Sequence, residues 1–227
     1  MSRHTFDNLS TTQFIILVAV LVGIIALAST FSSKAIVRRR LKKGTLRRLA
    51  DFKSGETGKV VGIVEFVDEP LEAPLSGREC AWYNVHILER GNKSAHTIVQ
   101  EQRKVRFVLR DGDKVAYIDS DYIESYVVED QEYNSGTFND ATERLENYLR
   151  QHGQKSEGFL GMNKGIRYVE GVLEKGESVA ILGEGHWRDA ESVGLPKEYG
   201  MVLAITPADG KPVYLSDDTE TVAMHGE

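Results

Sequence analysis

Residues 8–33 carry no charged side chain, and the run FIILVAVLVGIIALA at residues 14–28 is apolar throughout, with Gly23 as its only break. Extended through Phe31, the run has eighteen residues. As a helix rising about 1.5 Å per residue it reaches about 27 Å, enough to cross a slightly thinned hydrocarbon core. This feature divides the 227-residue chain into unlike parts. Nine of its 28 Lys and Arg but only one of its 34 acids, Asp7, lie in residues 1–50, a net charge of +8. The remainder carries −14, and the formal −6 of the whole chain conceals the contrast.

The flanks decide how the apolar run is read. A cleaved signal peptide is the main rival, because Ala26-Leu27-Ala28 has a small-x-small pattern near the N-terminus. A signal peptide, however, carries its positive charge ahead of the apolar run. Here Arg3 and Asp7 nearly cancel, and eight bases follow between Lys34 and Arg48. The positive-inside bias then predicts an uncleaved single-pass anchor with the N-terminus outside and the body cytoplasmic. Expected divisions are a short tail at 1–13, a transmembrane helix at 14–31, a basic juxtamembrane segment at 32–50 and a β-rich domain at 51–227. The cluster Arg38, Arg39, Arg40, Lys42 and Lys43 reads first as a stop-transfer flank, and contact with anionic lipid is a second use for it. Nucleic acid is not expected as a partner, since the −14 body repels phosphate.

Past Asp51 the pattern predicts a mainly β (α+β) domain. Short β-like runs cover residues 60–66, 81–89, 122–128, 177–182, 201–205 and 213–215, and Gly, Pro and Asp separate them. In the second run Tyr83, Val85 and Ile87 share one face and His86 lies on the other. Val105, Phe107 and Leu109 lead into Asp111-Gly112, a tight-hairpin signal, with Val115 and Tyr117 on the return strand. One helix near 140–152 interrupts the strands. Asp140 and Glu143 have capping-box spacing, Leu145, Tyr148 and Leu149 form an apolar stripe, Glu146 and Arg150 pair at i,i+4, and Gly153 suits the stop. Residues 151–165 are expected to form an exposed loop.

Cys80 is the only cysteine, so no intrachain disulfide can form. One Cys and six His, scattered without ligand spacing, also cannot furnish the roughly eight ligands of a two-zinc RING. Cys80 with His86 or His96 as base could be imagined as a nucleophile, but the expectation is an inert turn or core thiol. Asp111, Asp113, Asp119 and Asp121 are read as turn chemistry rather than a calcium loop. Gly183-Glu-Gly-His-Trp187 is read as a loop leaving a strand, with Trp187 covering part of the core. Asn8 and Asn92 begin glycosylation triplets of the kind that arise by chance. No catalytic residue, cofactor or metal is expected.

Three segments point further. They are GKVVGIV at 58–64, LEAPLSGREC at 71–80 and YNVHILE at 83–89, followed in order by FVLRDG at 107–112, RYVEGVLEKGESVAILG at 167–183 and PVYLSD at 212–217. Together they resemble the GIDE (beside-a-membrane) domain of mitochondrial membrane-anchored RING ubiquitin ligases and their bacterial and archaeal relatives, over roughly residues 45–220. The resembling positions are Pro74, Leu75, Ser76, Gly77, Arg78, Cys80, Tyr168, Glu170 and Gly183. Pro74 fixes φ, Gly77 permits positive φ and Ser76 can bond nearby backbone, so the first motif makes physical sense as a turn. The resemblance implies a membrane-tethered domain that binds a protein partner or substrate, while ubiquitin transfer belongs to a RING that these residues lack. The expected function is therefore a non-catalytic interaction module. The alternatives are a ligase-like component whose RING sits on another chain, a hydrolase using Cys80, and a membrane-organising structural protein.

Overall fold

The computed structural model describes residues 32–90, 95–135, 143–154 and 165–223. Five strands close a mixed barrel: β1 (Glu56–Phe66), β6 (Phe107–Asp111), β7 (Lys114–Ile118), β11 (Ser178–Asp189) and β12 (Met201–Thr206). Their order is β1-β6-β7-β12-β11, and β11 pairs back onto β1. All pairs are antiparallel except β7 with β12. In chain order this is a 1-2-3-5-4-1 barrel with its third and fifth strands parallel, the Greek-key arrangement of an OB-type barrel. Alternate residues fill it: Val60 and Val64, Phe107 and Leu109, Ala116 and Ile118, Val179 and Ile181, Leu203 and Ile205. The period of two that marked these strands in the sequence is thus the period of the barrel interior.

Two long insertions interrupt the barrel and pair with each other. The first, between β1 and β6, holds β2 (Leu71–Glu72), β3 (Glu79–Cys80), β4 (Trp82–Arg90) and β5 (Ala95–Lys104). The second, between β7 and β11, holds β8 (Ile123–Tyr126), β9 (Gln131–Ser135) and β10 (Ile166–Leu173). Strands β5-β4-β10-β9 form an antiparallel sheet. β13 (Val213–Ser216) runs antiparallel to β11 and carries β8 parallel on its far side.

Two helices cover these sheets. α1 (Ser33–Lys43) buries Val37 and Leu41 against Ala180 and Tyr214 on the outside of the barrel. α2 (Glu143–Gln151) buries Leu145, Tyr148 and Leu149 on the inserted sheet, as its stripe predicts. Gly153, at φ 69°, follows the end of α2, whereas Asp140 lies outside the described residues. Arg150 bonds Asn147 at 3.2 Å rather than pairing with Glu146. A short C-terminal helix, α3 (Thr219–Val222), has Asp218 as its N-cap and lies beside α1.

The expected strands are present, but several boundaries and one element differ. Gly183 and Gly185, read as a loop, lie inside the twelve-residue β11. A Cβ on Gly185 would stand 2.5 Å from the Phe52 ring, and one on Gly183 would stand 2.6 Å from Ile205. These glycines let neighbours approach a strand rather than end it. The hairpin turns on Gly112-Asp113, because Asp111 pairs with Lys114 in the register, and Gly112 takes φ 62°. The 32–50 stretch, expected ahead of a domain starting at Asp51, contributes α1, and Leu49 joins Phe52 in the barrel core. Among the described residues no helix is long and apolar enough to cross a membrane. Residues 14–31 lie outside them, as do Asn8, Asn92 and most of the expected 151–165 loop.

Candidate interaction site

The APLSGREC segment is the turn of a short hairpin. Leu71 pairs with Cys80 and Glu72 with Glu79, and the bonds from Gly77 N to Ala73 O and from Ala73 N to Arg78 O, both 2.8 Å, close the reversal. Gly77 stands at φ 75°, where a side chain would be strained and its Cβ would strike the Arg144 guanidinium at 2.6 Å. The turn's backbone is held from outside. Leu75 N donates to Glu170 Oε1 at 2.8 Å, and Ser76 N donates to Glu170 Oε2 at 2.9 Å. Glu170, on β10, is only 1% exposed. A carboxylate this deeply buried is tolerated where charge-assisted donors satisfy both oxygens, and the loop supplies them.

Arg78 extends the junction. Its guanidinium reaches Asp130 at 2.9 Å and Glu174 at 3.0 Å, and its Nε donates to Ser76 Oγ at 3.3 Å. Asp130 in turn accepts from Val172 N at 3.3 Å. The two most specific resembling segments, one from each insertion, are therefore bonded to one another. Tyr168 packs in the same core as Leu75 and Cys80. Gly183 lies apart, in the barrel wall.

Cys80 is fully buried in that core, and burial pushes its thiol up to about 12, with Glu170 adding to the shift. His86 lies on the opposite face of β4, 2.8 Å from Thr97 Oγ1. His96 is exposed beside Glu89. Neither imidazole meets the thiol. The aspartates do not gather either: Asp111 accepts from Leu49 N at 3.2 Å, Asp113 pairs with Lys114 and Asp121 with Lys104. Among the described residues no three His, Cys, Asp or Glu side chains converge as metal ligands would. Trp187 packs against the barrel core and donates from Nε1 to Phe52 O at 2.8 Å.

Beside the motif turn, a groove of about 720 Å³ opens between β5 and α2. Pro74, Tyr83 and Tyr148 line it together with Glu101 and Arg103 of β5 and Arg144 and His152 of the helical side. Glu101 is its hub. Its carboxylate accepts from Tyr148 Oη at 2.5 Å and from Tyr83 Oη at 3.3 Å. Arg103 Nε stands 3.3 Å and His152 Nε2 3.4 Å from the same group. His152 Nδ1 is 3.0 Å from the Tyr148 carbonyl. Burial, reinforced by Glu101, pushes both phenols above their ordinary range and keeps them protonated donors. Held by two phenol donors and the Arg103 cation, Glu101 fixes the wall of the groove. Sequence reasoning missed this cluster. Tyr148 read as one member of an apolar stripe, and Glu101, on a polar strand some fifty positions away, carried no local signal linking it to His152.

Comparison of the chain with protein-family models, with curated proteins and with solved structures finds no match.

Proposed function

We propose that this chain is a single-pass membrane-anchored interaction module, a GIDE-like domain without a RING, that holds an extended segment of a partner protein in the groove beside residues 73–80. The observation carrying this reading is the bonding of Glu170 to Leu75 and Ser76. It makes the two resembling segments one rigid unit at the rim of an aromatic-floored groove. β5 borders the groove through Glu101 and Arg103 and ends its sheet, pairing only with β4 among the described strands. An extended segment can add to such an edge by main-chain bonds while alternate side chains enter the groove. The apolar run and its basic flank would hold the module at the membrane, raising the local concentration of the partner.

The alternative OB-type ligand face, on the second and third barrel strands, is filled from within. Ala190 and Leu195 of the β11–β12 connection pack there on Val108, Val115 and Val202. The groove is the more open surface.

A photo-crosslinking residue at Arg103 of the membrane-embedded protein should capture a partner that the same residue at Asp113, exposed in the β6–β7 hairpin at the end of the barrel away from the insertions, does not. Equal products at both positions, or none at Arg103, would remove the groove from the proposal. For topology, protease added outside sealed vesicles should spare the body; digestion would overturn the cytoplasmic assignment.

A further inference from the structure

The edge strand β5 borders two concave surfaces. Successive residues of a strand face opposite sides, so Arg103 lines the groove while its neighbour Lys104 lines a second cavity, of about 450 Å³, against the barrel. Phe107, Ile118 and Ile123 give this cavity an apolar floor that belongs to the barrel core. Charged groups stand on its rim, and most are matched to one another. Arg106 holds Asp68 through Nε at 2.9 Å and Nη2 at 2.6 Å, and Lys104 holds Asp121 at 3.0 Å and the Ser120 carbonyl at 3.2 Å. Asp119 is left over. It lines the cavity, and among the described residues no Lys, Arg or His pairs with its carboxylate. Tyr117 lines the same cavity; burial pushes its phenol up, and the Asp119 charge adds to the shift.

We infer that the partner segment added along β5 is basic and seats a lysine or arginine in this cavity, with the aliphatic stem on Phe107, Ile118 and Ile123 and the cationic head at Asp119. The inference rests on the edge-addition reading and names the chemistry of its partner. Geometry argues for one segment serving both surfaces. An added strand alternates its side chains between the two faces of the sheet, so residues entering the groove are separated by residues facing the cavity. Charge argues for a cation. The cavity is lined by three carboxylates against two cations, and the body's net −14 steers a basic segment toward it. Shape argues for a long side chain rather than a bare ion. An apolar floor below one unpaired carboxylate suits the stem and head of Lys or Arg, whereas no three ligand groups converge for a metal among the described residues.

The full-length protein in nanodiscs, panned against a library of randomised short peptides, tests it. Bound peptides should carry a Lys or Arg an odd number of positions from the residues that fill the groove, and a photo-crosslinking residue at Arg103 should capture them. Replacing that basic residue by norleucine should weaken binding on the order of tenfold in the parent but less than about twofold in Asp119→Asn, so that the two changes are coupled. Asp113→Asn removes the same charge at the β6–β7 hairpin and should leave affinity within about twofold. Both variants should keep the parent's exchange protection in the barrel, which checks their fold. Captured peptides without a basic preference, or with one that Asp119→Asn leaves intact, would overturn the inference and leave edge addition standing. Failure of the parent to enrich any peptide that Arg103 captures would overturn edge addition and the inference with it. Asp119-dependent binding of n-butylamine that leaves peptide affinity unchanged would replace the partner's side chain with a soluble amine.

Discussion

The barrel and the inserted sheet both enclose apolar cores, but they differ in what fixes their covers. The barrel's interior is aliphatic and aromatic, and α1 and the β11–β12 connection cover parts of its outer wall. The inserted sheet is covered on one face by α2 and the motif turn over an apolar core of its own, and charge adds fixed points to that cover: Glu170 under the turn, Arg78 between Asp130 and Glu174, and Glu101 between Tyr83, Tyr148 and Arg103. Apolar packing is non-directional and forgiving of small shifts, whereas a buried carboxylate demands its donors at fixed positions. The sheet therefore trades tolerance for a rigid turn beside an open groove, as expected of a surface that must present a defined shape.

The sharpest way to break this comparison is in the barrel. Ile181→Ala removes a fully buried side chain and should cost about 4 kcal/mol by denaturant unfolding, with loss of exchange protection in both regions. Glu170→Ala leaves one buried and one partly buried amide of the turn without acceptors and should cost about 3 kcal/mol. Its signature differs: exchange should rise across residues 71–80 and β10 while barrel protection persists. A uniform loss would show that the two regions unfold as one. Arg78→Ala, at a partly buried and multiply bonded site, should cost about 1–2 kcal/mol. Lys114→Ala breaks an exposed pair with Asp113 and should stay within about 0.5 kcal/mol.

Acidity probes the seam between the regions. Asp217 follows β13 and accepts from Val128 N at 2.8 Å, and burial pushes its carboxyl up to about 7, with Glu177 and Asp130 adding to the shift. An unfolded aspartate titrates near 4, so between about pH 4 and 7 the folded state keeps a proton the unfolded chain has released. Stability from this group is present in full below that window and is lost as pH rises through 7. Glu177 is displaced upward in the same sense by burial. Asp217→Asn, which keeps an acceptor for Val128, should flatten the decline in urea midpoint between pH 5 and pH 8. An unchanged slope would exonerate Asp217.

How far the sequence could be read varied with the range of the interaction. The alternation of Tyr83, Val85 and Ile87 placed His86 on the outer face correctly, because one strand carries its own period. The stripe of α2 was legible for the same reason. β5 was not, since AHTIVQEQRK is a polar edge strand with little apolar period. The basic segment hid α1 because only Val37 and Leu41 mark its buried side. Gly183 and Gly185 misled because glycine usually signals a loop, and only Phe52 and Ile205, far away in the chain, explain them inside a strand.

By itself, then, the sequence determined the local periods, the division into a basic head and an acidic body, and the single thiol that leaves these 227 residues too few ligands for a RING. Each follows from neighbours along the chain or from a simple count. Tertiary structure alone decided that two distant insertions would pair into one sheet, that Glu170 would seat the motif turn, and that Glu101 would gather Tyr83, Tyr148 and His152. These depend on buried donors and acceptors meeting across as many as 95 positions, and only folding brings such groups within bonding distance.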